Sequence, residues 1–140
     1  MKNTSLLSLL LVFLFSVAGV NGQIVTVKGP INSAQLGKTL IHEHVLVDFV
    51  GADSTGYHRW DRSEVVEKVL PYLMEIKNRG YHSIIECTPA YIGRDPWLLK
   101  ELSEKSGLNV LTNTGYYGAG SNNFLPSHAI QESAEELAER

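Results

Sequence analysis

Two histidines set one residue apart, in Thr39-Leu40-Ile41-His42-Glu43-His44-Val45, carry the clearest chemistry in this chain. On a β-strand alternate side chains share a face, so His42 and His44 point one way and Glu43 the other. Their α-carbons then lie about 6.6 Å apart. Two imidazoles can converge from there on a single ion, at Zn–N distances of ~2.0–2.1 Å. Neutral imidazole suits zinc, cobalt or nickel, and a site without sulfur takes zinc as its default. The spacing alone fits a polar pair on a solvated face equally well; the apolar residues around it favour the metal. Two ligands do not finish a catalytic site, because three or four protein ligands are usual.

The other reactive side chains give weaker signals. His58 falls in a polar loop and His82 at a strand entrance, both as surface or supporting residues, and His128 has no expected role. Glu86 and Cys87 alternate on one strand, so one faces the helices and the other the opposite side; Cys87 is expected to pack as a buried thiol against a helix. Arg94-Asp95 reads as loop structure followed by a helix cap. Tyr116 and Tyr117 follow a strand at the end where aromatics would line a substrate pocket. No catalytic acid, base or nucleophile is assigned within the chain.

The elements that must position these groups alternate along the sequence. Gln23–Val27 is a short β-rich run, and Lys28-Gly29-Pro30 is expected to end it. Thr39–Val47 reads as a buried strand with the histidine pair near its C-terminal end, and residues 51–60 as a polar, glycine-bearing loop. Asp61 and Glu64 then open a helix whose inner face is Val65, Val66, Val69, Leu73 and Ile76. Pro71 should kink it, and Gly80 stops it. Ser83–Thr88 is a second strand. Asp95-Pro96 starts a helix through Leu98, Leu99 and Leu102 that ends at Gly107. Leu108–Thr114 is a third strand, residues 115–120 a glycine- and aromatic-rich loop, and Ser127 opens a third helical pattern through Ala129, Ile130, Ala134 and Leu137. Strand and helix in strict alternation predict βαβ units on a parallel sheet. No glycine-rich fingerprint follows the first long strand, so a dinucleotide fold has no support.

The ends of the chain are informative too. Met1, Lys2 and Asn3 precede an apolar run from Leu6 to Val20, and Val20-Asn21-Gly22 then offers a cleavage site before Gln23. Residues 1–22 are expected to be a signal peptide cut after Gly22, leaving residues 23–140 secreted or periplasmic with no stable membrane span. The lone Cys87 excludes an internal disulfide. A formal charge of −3 gives no reason to expect nucleic acid. At the other end, Glu135–Arg140 stops inside an amphipathic pattern. Three β/α units cannot close a barrel, which needs eight strands and ~250 residues. The 140-residue chain is therefore expected to be a truncated front portion.

Taken together, Gly29-Pro30-Ile31, Leu36-Gly37-Lys38-Thr39-Leu40 running into His42-Glu43-His44, Thr88-Pro89 with Ile92-Gly93-Arg94-Asp95, and Thr114-Gly115-Tyr116-Tyr117 resemble the start of the phosphotriesterase-like family of the amidohydrolase superfamily. The resemblance spans about Gln23 to Arg140. It implies the N-terminal portion, about three β/α units, of a (β/α)8 TIM barrel preceded by a short β segment. It also implies a site for two divalent metals, usually zinc, in which His42 and His44 match a strand-borne pair on the more buried ion. The remaining ligands (a bridging carboxylated lysine, two histidines and an aspartate) would come from later strands. The implied reaction is attack of a metal-activated hydroxide on a phosphotriester, lactone or carboxylic ester. Tyr117 matches a pocket aromatic and is the expected substrate contact. The fragment alone is expected to be inactive, and a homodimer is compatible with the pattern.

Two other readings remain open. Nuclease or deaminase relatives within the superfamily carry an aspartate shortly before the pair, where this chain has Thr39-Leu40-Ile41. A non-catalytic secreted remnant would instead use its unpaired strand edges for association.

Overall fold

A computed structural model describes residues 22–140, so the segment read as a signal peptide lies, except for Gly22, outside the described residues. The chain opens with an antiparallel hairpin of β1 (Ile24–Thr26) and β2 (Gly29–Ile31). Gly29-Pro30 was expected to punctuate the chain and instead begins β2. Pro30 pairs with Val25 in a ribbon that is all edge, where a missing donor is tolerated. The hairpin docks on the main sheet through Val27 N–H donating to the Val110 carbonyl at 2.9 Å, and through Lys28 Nζ donating to the Ser103 and Leu108 carbonyls. A short helix that the pattern did not foretell, α1 (Ser33–Leu36), follows with an Asn32–Gln35 capping box.

The main sheet is parallel and three-stranded in the order β3 (Thr39–Glu43), β4 (Ser83–Glu86), β5 (Asn109–Thr112). Two long helices make the crossovers. Helix α2 (Arg62–Asn78) starts at Asp61, whose carboxylate accepts from Ser63 N and Glu64 N. It runs on through Pro71, which sits on its exposed side, as a single helix. Helix α3 (Pro96–Ser106) is capped by Asp95 and ends at Gly107, whose φ of 71° is the left-handed conformation a glycine accepts cheaply.

The expected helical stripes become the core. Val66 and Leu73 of α2, Leu98, Leu99 and Leu102 of α3, Ile84 of β4, Val110 of β5 and Leu108 form one buried cluster, with Val65, Val69 and Ile76 packed against it. Each fully buried leucine contributes roughly 2 kcal/mol. Several expectations about extent change: β4 stops at Glu86 short of Thr88, and β5 covers Asn109–Thr112 within the expected Leu108–Thr114. β3 ends at Glu43, not Val47, because its pairing slips by one residue between Leu40 and Glu43. The final helix divides into α4 (His128–Gln131) and α5 (Ala134–Ala138). Extended backbone at Glu132, with ψ 151°, separates them, and Ser133 opens α5 with its own capping box to Glu136. That local cap competes with continuation of the helix.

Candidate metal centre

The histidine pair lies where β3 runs out. His42 is the penultimate residue of the strand and His44 the first residue beyond Glu43. Both rings are exposed, and they meet edge to face with centroids 5.1 Å apart. The two rings are thus neighbours at the end of the strand.

The chain around the pair is held by β4 and the loop after it. Cys87 N–H donates to the Glu43 carbonyl at 2.8 Å, Val45 N–H to Glu86 Oε1 at 3.2 Å, and Asp48 N–H to the Ile92 carbonyl at 2.7 Å. Gly93 makes this approach sterically open: with φ 120°, a Cβ there would lie 2.7 Å from the Leu46 carbonyl oxygen. Asp48 in turn accepts from Thr55 Oγ1 at 2.9 Å and pairs with Arg59 at 2.6 Å, tying down the long loop beyond the histidines. Burial alone would raise the Asp48 carboxyl, but Arg59 and Thr55 hold it below its ordinary value.

Beneath His44 sits a polar chain. His44 Nδ1 is 3.0 Å from Thr88 Oγ1, and the Thr88 hydroxyl donates to Glu86 Oε1. The Glu86 carboxylate also receives Val45 N–H on Oε1 and Thr88 N–H on Oε2. Thr88 and Glu86 are 0% and 1% exposed. Burial pushes the Glu86 carboxyl up, against the opposing pull of these hydrogen bonds and of His44. Neither residue stood out in the sequence as a partner of the pair. The signal available there was Glu86-x-Thr88, two polar residues sharing one face of the strand adjacent to the histidines.

The other candidates fall elsewhere. Cys87, expected against a helix, is only partly buried, its Sγ near the Ile85 and Ile41 carbonyls; Glu86 and Ile84 take the face toward the helices instead. Tyr117 is 37% exposed and joins Phe49 and Phe124 in an aromatic trio with centroids 5.3–5.9 Å apart. Tyr116 turns away from it, and its hydroxyl lies 3.0 Å from His128 Nε2, with the Tyr91 ring tilted against Tyr116 and edge-on to His128. These three line an open cavity of about 730 Å³ with Tyr57, Arg94 and Arg140. His42, His44 and Tyr117 are not among its walls. His128, which had no expected role, therefore supports the tyrosine loop. His58 and His82 are exposed, as expected; the His82 ring packs over Gly37. Among the described residues, no group of three or more His, Cys, Asp or Glu side chains is placed to hold a metal.

A parallel sheet built from β/α units, with a histidine pair at the C-terminal end of its first strand, matches the opening of a (β/α)8 barrel. The chain belongs to the phosphotriesterase family, whose model matches residues 22–140. It is similar to the phosphotriesterase homology protein of Escherichia coli K12, 33% identical over 103 residues, 74% of this chain and 33% of that one. It is also similar to an aryldialkylphosphatase of Saccharolobus solfataricus (26% identical, covering 80% and 35% of the two chains) and to an N-acetyltaurine hydrolase of Xenopus tropicalis (27%, covering 72% and 37%). Among solved structures, a triple mutant of an organophosphorus hydrolase from Deinococcus radiodurans superposes with a TM-score of 0.71 at 32% identity, covering 86% of this chain and 38% of that one. A resiniferatoxin-binding protein from Rhodobacter sphaeroides gives 0.66 at 28% identity. The chain spans about a third of the length of the curated relatives it matches.

Proposed function

We propose that this chain is the front portion of a metal-dependent hydrolase in which His42 and His44 hold one of two divalent ions, zinc by default. The observation that carries the reading is the edge-to-face pair itself, two exposed imidazoles 5.1 Å apart on a strand end. The donor set fits: two neutral nitrogens make one side of a tetrahedral site and leave the other positions to ligands from elsewhere in the protein. When bound, the metals supply polarisation of a P=O or C=O bond and an acidified water. The residues of this chain bind and orient. The two imidazoles fix the ion against β3, and the loop clamp from Ile92 and Glu86 fixes the imidazoles. Tyr117, with Phe49 and Phe124, offers an apolar wall for the organic part of a phosphotriester, lactone or carboxylic ester. The relative that cleaves N-acetyltaurine adds acyl amides to the substrates worth screening.

The test uses the intact protein. A chelator should abolish hydrolysis of a phosphotriester, lactone or aryl ester, and zinc should restore it. Hydrolysis indifferent to chelation sinks the metal reading.

Export belongs to the same proposal. Its support is the apolar run from Leu6 to Val20 followed by Val20-Asn21-Gly22. Among the described residues no helix is long and apolar enough to cross a membrane. N-terminal sequencing of the exported protein should begin at Gln23; a product that retains Met1 rules out cleavage.

A further inference from the structure

We infer that Glu86 and Thr88 are positioning residues that set the tautomer of His44, so that its Nε2 is the lone-pair nitrogen offered to the metal. The inference rests on the metal reading above and adds residues to it. It follows from counting protons. Both Glu86 oxygens already receive backbone N–H groups, Val45 on Oε1 and Thr88 on Oε2, so each is placed as an acceptor and neither is aimed to donate to Thr88. The Thr88 hydroxyl has one proton and donates it to Glu86 Oε1. Thr88 Oγ1 therefore meets His44 Nδ1, 3.0 Å away, as an acceptor, and the imidazole proton must sit on Nδ1. Nε2 is left unprotonated, on a histidine that is exposed.

The arrangement is held rigidly. Thr88 and Glu86 are sealed from water, and Thr88 N–H and Oγ1–H both end on the same carboxylate, so the hydroxyl cannot turn without losing a buried partner. A ring-nitrogen hydrogen bond of this kind fixes ring orientation as well as tautomer, and losing one typically costs 10–100-fold in metal affinity.

The test reads the ring directly. Long-range 1H–15N correlation on the intact, metal-free protein labelled at histidine, with the His44 signals assigned from a His44→Ala variant, should show His44 protonated on Nδ1. Thr88→Val, close in shape and without a hydroxyl, should move the proton to Nε2 and weaken zinc binding about 10- to 100-fold. Thr88→Ser should restore both. Wild-type His44 protonated on Nε2 overturns the inference without reference to any variant. So does a folded Thr88→Val protein that keeps the Nδ1 proton and full zinc affinity. If His44→Ala leaves zinc binding unchanged, the metal reading fails by itself, and the ring signals still decide the tautomer.

Discussion

Replacing His42 or His44 by alanine in the intact protein is expected to lower both zinc affinity and zinc-dependent hydrolysis by more than about 100-fold. That figure exceeds the 10–100-fold that losing a supporting partner of a ligand costs, because a nitrogen donor itself is removed. Nothing adjacent can replace it. Glu43 alternates to the other side of the strand, and Ile41 has no donor atom. The stability readout separates this role from a packing role. Both rings are exposed, and surface substitutions usually change stability by less than about 0.5 kcal/mol. Metal-free wild-type and variant proteins should therefore unfold at nearly the same denaturant concentration while differing in zinc content and rate. His58→Ala, at an exposed histidine outside the pair, is the control and should change neither. Equal losses of stability and activity would mean that the pair is structural.

Asp95→Ala should be the most damaging single change to the fold outside the hydrophobic core, at about 2–3 kcal/mol, from the loss of a helix cap and of the acceptor for a buried indole N–H. The Asp95 side chain is wholly buried and serves three donors: Arg62 Nε at 2.6 Å, Trp60 Nε1 at 3.1 Å and Leu98 N–H at 3.2 Å. Its loss uncaps α3, orphans the indole, and frees Arg62 from its place beside the Tyr57 and Trp97 rings. Burial alone would raise the Asp95 carboxyl, but Arg62, Trp60 and the α3 amide hold it below its ordinary value. A depressed folded pKa means that the unfolded chain takes up the proton first. The stabilisation is thus complete above the unfolded value of 3.8 and is lost as pH falls through the lower folded value. Urea midpoints measured at pH 7 and on descending below pH 4 should show wild type losing ground in acid while Asp95→Ala loses less. Parallel curves would remove Asp95 from the account.

Local chemistry made part of this molecule legible in advance. The α2 and α3 stripes needed only a 3.6-residue period, and Asp61, Asp95 and Gly107 announced their caps and stop by residue type. The histidine pair was visible because two histidines one residue apart share a face wherever an extended chain alternates. What escaped depended on partners distant in sequence. The supporting role of Glu86 and Thr88 exists only because β4 lies beside β3, 44 residues away in the case of Thr88 and His44. The loop of residues 51–60 read as polar filler, yet Tyr57 and Trp60 pack on Trp97 and Asp95 of another unit. β3 was read too long because its apolar run continues past the slip in register, and no residue type marks that slip. The third helix was read as one because its apolar spacing continues across Ser133, while the Ser133–Glu136 box quietly starts a second.

The most direct measurement is anomalous diffraction at the zinc edge from crystals of the intact protein grown with zinc. The account predicts a peak within about 2.0–2.1 Å of one nitrogen of each of His42 and His44, with Nε2 as the ligand atom of His44. A zinc-replete crystal whose anomalous density lies elsewhere, with both imidazoles bare, would contradict it.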